Sequence, residues 1–434
     1  MPSEITLGLL VGMAKHPAPQ QVMESLTQVQ VSIAAKGKSG FDLSFAVSKS
    51  SPIMTDLLPS GYFDPPTRII ITVTIRGDKT VLMDGVITAQ EMVPSDEAGK
   101  SVLSIKGQDV SQMMELIDLS GLPFPCMPAE ARIALILAKY IPLYGIVPLI
   151  IPSVLLDVPS PTDEIPTQEG TDLEYVESLA HKVGYTFFIQ AGPVVGANLA
   201  YWGPMLRTQI PFLPPPDPIA IDWDGRSNVE SLQFGFDGTQ KTLWVVLIEG
   251  STMLPIPIPI PVPDVTPLSP PLGRKSPLPL KIAPMTGLAG YKPWQAAVIA
   301  LGKAAESANI VHGQGTLDVL RYGGILPART IVEVRGAGIT YDGQYFVESC
   351  THTIKPGSYK QSFNLTRNAL NAGTGLASNL LGYVTSPAAA LSAFAPTQAQ
   401  APVGPSGVPL PPGPTLGQDP TAAQGRTVPL AATV

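Results

Sequence analysis

The segment GTDLEYVESLAHKVGYTFFI, residues 170–189, brings an aspartate, two glutamates, a histidine and tyrosines into one short span. Carboxylate and imidazole groups that close could trade protons as general acid and base. Local physics gives them a different task. Thr171 with Glu174 fits a capping box, Leu173, Val176, Ala180 and Val183 recur at helical spacing, and Gly184 stands where a left-handed cap ends a helix. The span therefore predicts one amphipathic helix running into a strand over residues 185–189, which are β-branched or aromatic. Asp172, Glu174, Glu177, His181 and Lys182 mostly fall away from the apolar stripe, so they read as a solvated or partner-facing polar face.

Other candidate chemistry is sparse. The sequence has no HExxH, CxxC or GxSxG, and its histidines are His16, His181, His312 and His352. Zinc or triad chemistry has little material there. Cys350 and His352 alternate onto one face of a predicted strand, which would suit a metal if further ligands were visible, and none is. Gly99, Lys100 and Ser101 resemble the end of a phosphate loop. Pro94, however, occupies the place of the first glycine, and the context is strand to strand, whereas a phosphate loop leads into a helix. Asp84-Gly85 and Asp342-Gly343 read as turns in which glycine supplies the positive φ, not as paired catalytic carboxylates. The expectation is a chain with no catalytic residue, no cofactor site, no metal ligand and no direct small-molecule ligand, and so not an enzyme.

Composition points the same way. The 434 residues suggest roughly two to four domains. Only 14% are charged against 44% hydrophobic, with a mean hydropathy of +0.22, so few charges are on hand to cover a monomer's surface. Much of that surface is expected to be buried against other subunits. The net charge is −7 and basic residues form no run, which argues against sequence-specific nucleic-acid binding. Cys126 and Cys350 are the only cysteines, too few for a disulfide framework and suited to assembly in a reducing cytoplasm. Glu4 precedes the first apolar stretch and no basic residue comes before Lys15, the reverse of a secretion signal's charge order. Residues 141–156 are the most apolar, yet Pro142, Pro148 and Pro152 interrupt them, so no stable membrane insertion is expected.

Residues 1–20 read as an N-terminal arm. Residues 21–118 read as a first β-barrel domain, with a hairpin over 28–47, strands beginning at 68 and 101, a turn at Gly77-Asp78, a further strand after Asp84-Gly85, and a short helix from 109. Residues 119–227 form an inserted helix-rich α/β domain, in which a helix over 128–141 opens at Pro128. A second hairpin turning at Asp237-Gly238 belongs to 228–250, which joins 310–370 as a second, discontinuous barrel. Between these lie a proline-rich insertion and a helix, 251–309. PIPIPIPVP, residues 255–263, lacks amide donors at every second position and reads as an extended spacer or lining rather than a strand. Residues 371–434 are rich in alanine, glycine, proline, serine and threonine, a tail that cannot make a core of its own and is expected to lie extended over neighbouring chains.

An internal repeat ties the two barrels together. PPTRIIITVTIRGDKTVLMDGVI and LPARTIVEVRGAGITYDGQYFV share an order of features, and Arg68, Arg76 and Asp84 align with Arg329, Arg335 and Asp342. Each copy is preceded by a hairpin and followed by a further alternating strand. The fold class is thus α+β, mainly β, with two antiparallel β-barrel domains related by duplication.

TDLEYVESLAHKVGYTFFI resembles the helix-strand segment of the phage late control D family, and YDGQYFVESCTHTIKPGSYKQSFNLTRN resembles that family's C-terminal strands. The resemblance spans residues 28–368. It implies that the two β-barrels are tube-like and that the chain is a baseplate hub of a contractile tail, similar to the hub half of VgrG spikes. In such a hub a homotrimer with pseudo-sixfold symmetry joins a trimeric spike to the hexameric tail tube or a tube-initiator protein, alongside baseplate wedge proteins. The implied location is the virion tail baseplate, assembled in the host cytoplasm. The chain runs from Asn368 into the tail instead of an OB-fold and β-helix, so the spike is expected to be a separate protein. The alternatives are a hub of a non-phage contractile injection system and a tail-associated cell-wall-degrading enzyme.

Overall fold

The computed structural model describes residues 5–95, 97, 101–153, 165–207, 215–222, 226–248, 258–261, 270–286 and 293–372, all within a compact unit spanning Met1–Leu380. Gly99, Lys100, most of the 255–263 proline run and the tail from residue 373 lie outside the described residues. Among the described residues no helix is long and apolar enough to cross a membrane.

The N-terminal arm enters the sheet. It supplies β1 (Ile5–Val11) and β2 (His16–Pro17), followed by the short helix α1 (Gln20–Ser25). β3 (Leu26–Ala34) and β4 (Gly40–Val47) make the expected hairpin, and β4 buries every second side chain. β5 (Arg68–Ile75), β6 (Asp78–Val93) and β7 (Ser101–Asp109) complete the first repeat. All neighbours are antiparallel, in the order β3-β4-β7-β6-β5-β1-β2. The short helix after β7 is 3-10 in form, Val110–Met114, with the Asp109 carboxylate accepting from the Ser111 amide.

The inserted segment contains α2 (Ala129–Ala138), α3 (Ile141–Tyr144), β8 (Ile146–Ile150), α4 (Asp172–Lys182), β9 (Thr186–Ala191) and β10 (Asn198–Gly203). Its strands form a separate sheet in the order β8-β10-β9. Ile133, Val176, Phe187 and Trp202 build a core there with Val86, Val110 and Met114 from the end of the first repeat.

The second repeat differs from expectation at its hairpin. β11 (Ile219–Ala220) and β12 (Ser231–Phe236) lead to the Asp237 turn, but β13 (Thr242–Ile248) does not fold back on β12. It pairs with β14 (Ile258–Pro261) and, beyond β15 (Gly273–Lys275), with β16 (Lys281–Pro284). After α5 (Pro293–Ser307) the chain returns as β17 (Val311–Asp318), and this strand takes the place beside β12. The reason is steric fit. A Cβ at Gly313 would lie 3.1 Å from the Phe234 ring, and one at Gly315 would lie 2.6 Å from the Phe363 ring, so the glycines of β17 admit aromatic side chains from both neighbouring strands. The proline run is also corrected, since residues 258–261 are a strand. It sits on the edge of its small sheet, where alternate prolines cost no ladder bond on the open side.

The repeat ends with α6 (Val319–Tyr322), β18 (Ile331–Arg335), β19 (Gly343–Lys355), β20 (Ser358–Arg367) and β21 (Leu370–Ala372). The order β12-β17-β20-β19-β18 repeats β3-β4-β7-β6-β5 strand for strand. A shared defect makes the correspondence specific. β6 carries one extra residue, Thr88, against β7, and β19 carries one extra residue, Glu348, against β20. One bulge at the same place in each repeat is a built feature rather than a chance likeness of strands. The residue-by-residue alignment shifts, however. Arg68 lies opposite Val86 and Ile331 opposite Phe346, so Ile331, not Arg329, holds the position of Arg68. The repeats share one continuous 13-stranded sheet, because β3 pairs with β19, and a single core runs beneath both.

Candidate assembly interface

The opening segment folds as its spacing predicts. Thr171 and Glu174 form the reciprocal capping box, and Gly184 has φ 66° just past the end of α4. His181 and Lys182 are exposed and Glu177 is half-buried, its carboxyl held above the usual range chiefly by burial. Asp172 departs from the polar-face reading because it is buried. It accepts from the Tyr140 hydroxyl at 2.7 Å and the Gln168 amide at 2.9 Å, with the Lys139 ammonium at 2.5 Å. Burial and this carboxylate together raise the Tyr140 phenol. The network pins α4 to the end of α2.

Cys350 and His352 do share one face of β19, and both point into the core. The Cys350 thiol donates to the Leu326 carbonyl at 3.4 Å, and burial raises it to about 12. His352 Nδ1 lies 2.9 Å from the Tyr359 hydroxyl, and burial lowers the imidazole to about 4. Among the described residues no group of three His, Cys, Asp or Glu side chains could hold a metal ion.

Two arginines, Arg68 buried and Arg329 half-buried, position the inserted segment. Asp84 is not in a turn; it lies inside β6, where Arg68 donates Nε to Oδ1 at 2.8 Å and Nη2 to Oδ2 at 2.6 Å. Gly85 likewise serves close approach, since a Cβ there would lie 2.1 Å from the Gln108 carbonyl oxygen. Arg68 also donates to the carbonyls of Leu143 and Tyr144, and Asn198 bridges Asp84 to Tyr144. The clamp therefore joins the first repeat to α3 and β10. Arg329 serves the other side. Its guanidinium lies 3.9 Å from the Phe188 ring centre and donates to Gln190 and to the Ala35 carbonyl, and burial lowers it to about 10. Asp342 is not its partner and instead accepts from the Ala337 amide in the turn before β19.

The remaining feature is what the sheet leaves open. Inside the chain, β3 lies along the second half of β19, from Ser349 opposite Ala34 to Ile354 opposite Val29. The matching stretch of β6, Ala89 to Val93, is exposed and among the described residues pairs with β7 alone. Among the described residues the matching strand β12 pairs with β17 alone. Met92, Val93 and Phe236 on these edges are large, apolar and exposed.

Solved structures share this architecture. The tail protein from Neisseria meningitidis matches with a TM-score of 0.54 at 14% identity, over 84% of this chain and 96% of that one. The 43 kDa tail protein of prophage MuSo2 from Shewanella oneidensis matches with a TM-score of 0.55 at 13% identity, over 85% and 100%. This is the fold of phage tail proteins. A chain of the Francisella PdpA-VgrG complex in its half-lidded form also matches, with a TM-score of 0.51 at 9% identity, over 86% of this chain and 59% of that one. No family model and no curated protein matches the sequence.

Within this tail-protein fold, the sequence reading found the repeats, the cap of α4 and the core strands. It missed the Arg68 clamp and the open edges. The clamp had one local signal, an arginine heading a run of isoleucines, where an exposed charge has no reason to sit.

Proposed function

We propose that this chain is a structural baseplate hub of a contractile tail, in which three copies set six repeats in a pseudo-sixfold ring between a separate trimeric spike and the hexameric tail tube. The observation that carries the reading is the pair of five-stranded repeats with the same order and the same bulge, laid edge to edge in one sheet. A chain built this way presents twofold-repeated surfaces, and three such chains offer six similar positions to a hexameric neighbour. The boundaries proposed for the ring-forming parts are 21–118 and 228–250 with 310–370. The spike, a tube or tube-initiator protein and wedge proteins are its partners, and the virion tail baseplate, assembled in the host cytoplasm, is its location.

The role is geometric, with no catalytic, cofactor or metal site and no nucleic-acid recognition. Light scattering of the purified full chain tests the ring, with a trimer expected; a well-behaved monomer at micromolar concentration would overturn it. A zymogram on peptidoglycan tests the absence of chemistry, and robust lysis would replace the structural reading with a cell-wall-degrading enzyme. The likeness to a chain of the PdpA-VgrG complex favours a second reading, the hub of a non-phage injection particle.

A further inference from the structure

We infer that the second half of β6 and the free edge of β12 are the two halves of one intermolecular β-junction, antiparallel, with Val93 of one copy directly opposite Gln233 of the next. The inference rests on the ring proposed above and adds its contact, register and direction.

The chain contains its own template. β19 uses its first residues, Gly343–Phe346, to pair with β18, and then, past the Glu348 bulge, uses its second half to pair with β3. β6 shares this pattern around its Thr88 bulge, although it also carries one extra residue, Leu82, against β5. It pairs with β5 up to Val86, bulges at Thr88, and then continues to Val93 along β7 with nothing on the other side among the described residues. In the repeat correspondence β19 answers to β6 and β3 answers to β12. The strand that should lie beside the open half of β6 is therefore a β12, and the chain's own β12 is already placed at the far end of the sheet. A second copy must supply it. Each copy then offers one edge of each kind, a head-to-tail contact that closes into a ring.

Register follows from the bulges and the pairings. Ser349 opposite Ala34 becomes Ala89 opposite Asp237, and Thr353 opposite Gln30 becomes Val93 opposite Gln233. The side chains suit this alignment. Val29 and Val31, buried at the internal junction, have Leu232 and Phe234 as counterparts, so β12 keeps an apolar alternation although among the described residues it pairs on one side. Met92 falls opposite Phe234. Glu91 falls opposite Gly235, which leaves its ion pair with Lys106 undisturbed. Exposures of 41% at Met92, 55% at Val93 and 45% at Phe236 mark these edges as surfaces awaiting cover.

Disulfide trapping in the full chain tests it. The parent carries Cys126→Ser, because Cys126 is exposed while Cys350 is buried. Val93→Cys with Gln233→Cys places two thiols about 5 Å apart between Cα atoms, within disulfide reach. Met92→Cys with Gln233→Cys is the control, since a one-residue slip turns the side chain to the other face of the sheet. Mild oxidation of the trimer should give a reductant-sensitive covalent trimer for the first pair and about tenfold less for the control. A trimer by light scattering that fails to cross-link, or cross-links equally in the control, overturns the junction and leaves the hub reading standing. A monomeric parent overturns both.

Discussion

Arg68 and Asp84 meet as a two-pronged pair inside the protein, both nearly inaccessible, with Nε to Oδ1 at 2.8 Å and Nη2 to Oδ2 at 2.6 Å. The guanidinium then extends to two carbonyls of the inserted segment, so one charge pair fixes β5 to β6 and both to α3. Removing either partner strands the other charge out of water. Arg68→Ala and Asp84→Ala should each lower unfolding stability by about 3–5 kcal/mol, while Arg68→Met with Asp84→Leu should lose less than the sum. Urea denaturation of the three variants measures this. Losses below about 1 kcal/mol for both single changes would mean the clamp does not hold the inserted segment.

Gly184 ends α4 with a left-handed φ of 66°, and the amides of Gly184 and Tyr185 return to the carbonyls of His181 and Ala180. Gly184→Val should cost about 1 kcal/mol or more and reduce soluble yield, because a β-branched side chain collides with its own backbone there. Gly184→Asn should be milder. Melting temperatures for the two variants give the comparison, and indistinguishable values would contradict the cap.

What the sequence disclosed follows from what is local. The cap of α4 lies within a few residues, and the alternation of β4 is set by neighbours two apart, so both were legible. The exchange of β13 for β17 beside β12 was not. It turns on glycines in β17 fitting rings on Phe234 and Phe363, and Gly313 lies 79 positions from Phe234 in sequence and beside it in the sheet. Asp84 was misread as a turn residue because Asp-Gly is a common turn pair; its partner Arg68 sits on another strand and is invisible to local pattern. The open edges follow only from knowing which strands are already paired.

His352 sets an acid limit. Its folded pKa of about 4 lies below the free-histidine value, because burial against Tyr359 penalises the charged ring. The unfolded chain therefore binds the extra proton first as pH falls. The contribution is fully present above about pH 6.5 and is lost progressively between there and about pH 4, on the order of 3 kcal/mol. Melting temperature should fall across that window, and His352→Gln, which keeps a polar partner for Tyr359, should flatten the fall. An unchanged slope in the variant would assign the acid sensitivity elsewhere.

The last prediction concerns residues 373–434. Ordering them costs roughly 1 kcal/mol or more per residue, which a segment dominated by alanine, glycine, proline, serine and threonine, with only scattered large apolar residues, cannot offset from its own apolar area. Their use to the protein is then expected in contact with another chain, and prolines such as Pro409, Pro411 and Pro412 lower the entropy lost on docking. The cut belongs after Ala372, not after Asn368, because Ala369 is buried and β21 pairs with β15. Truncated there, the chain should keep the melting temperature and oligomeric state of the full chain while recovering less of the separate spike protein in a pull-down. Equal spike recovery by the two forms would rule the tail out as the tether.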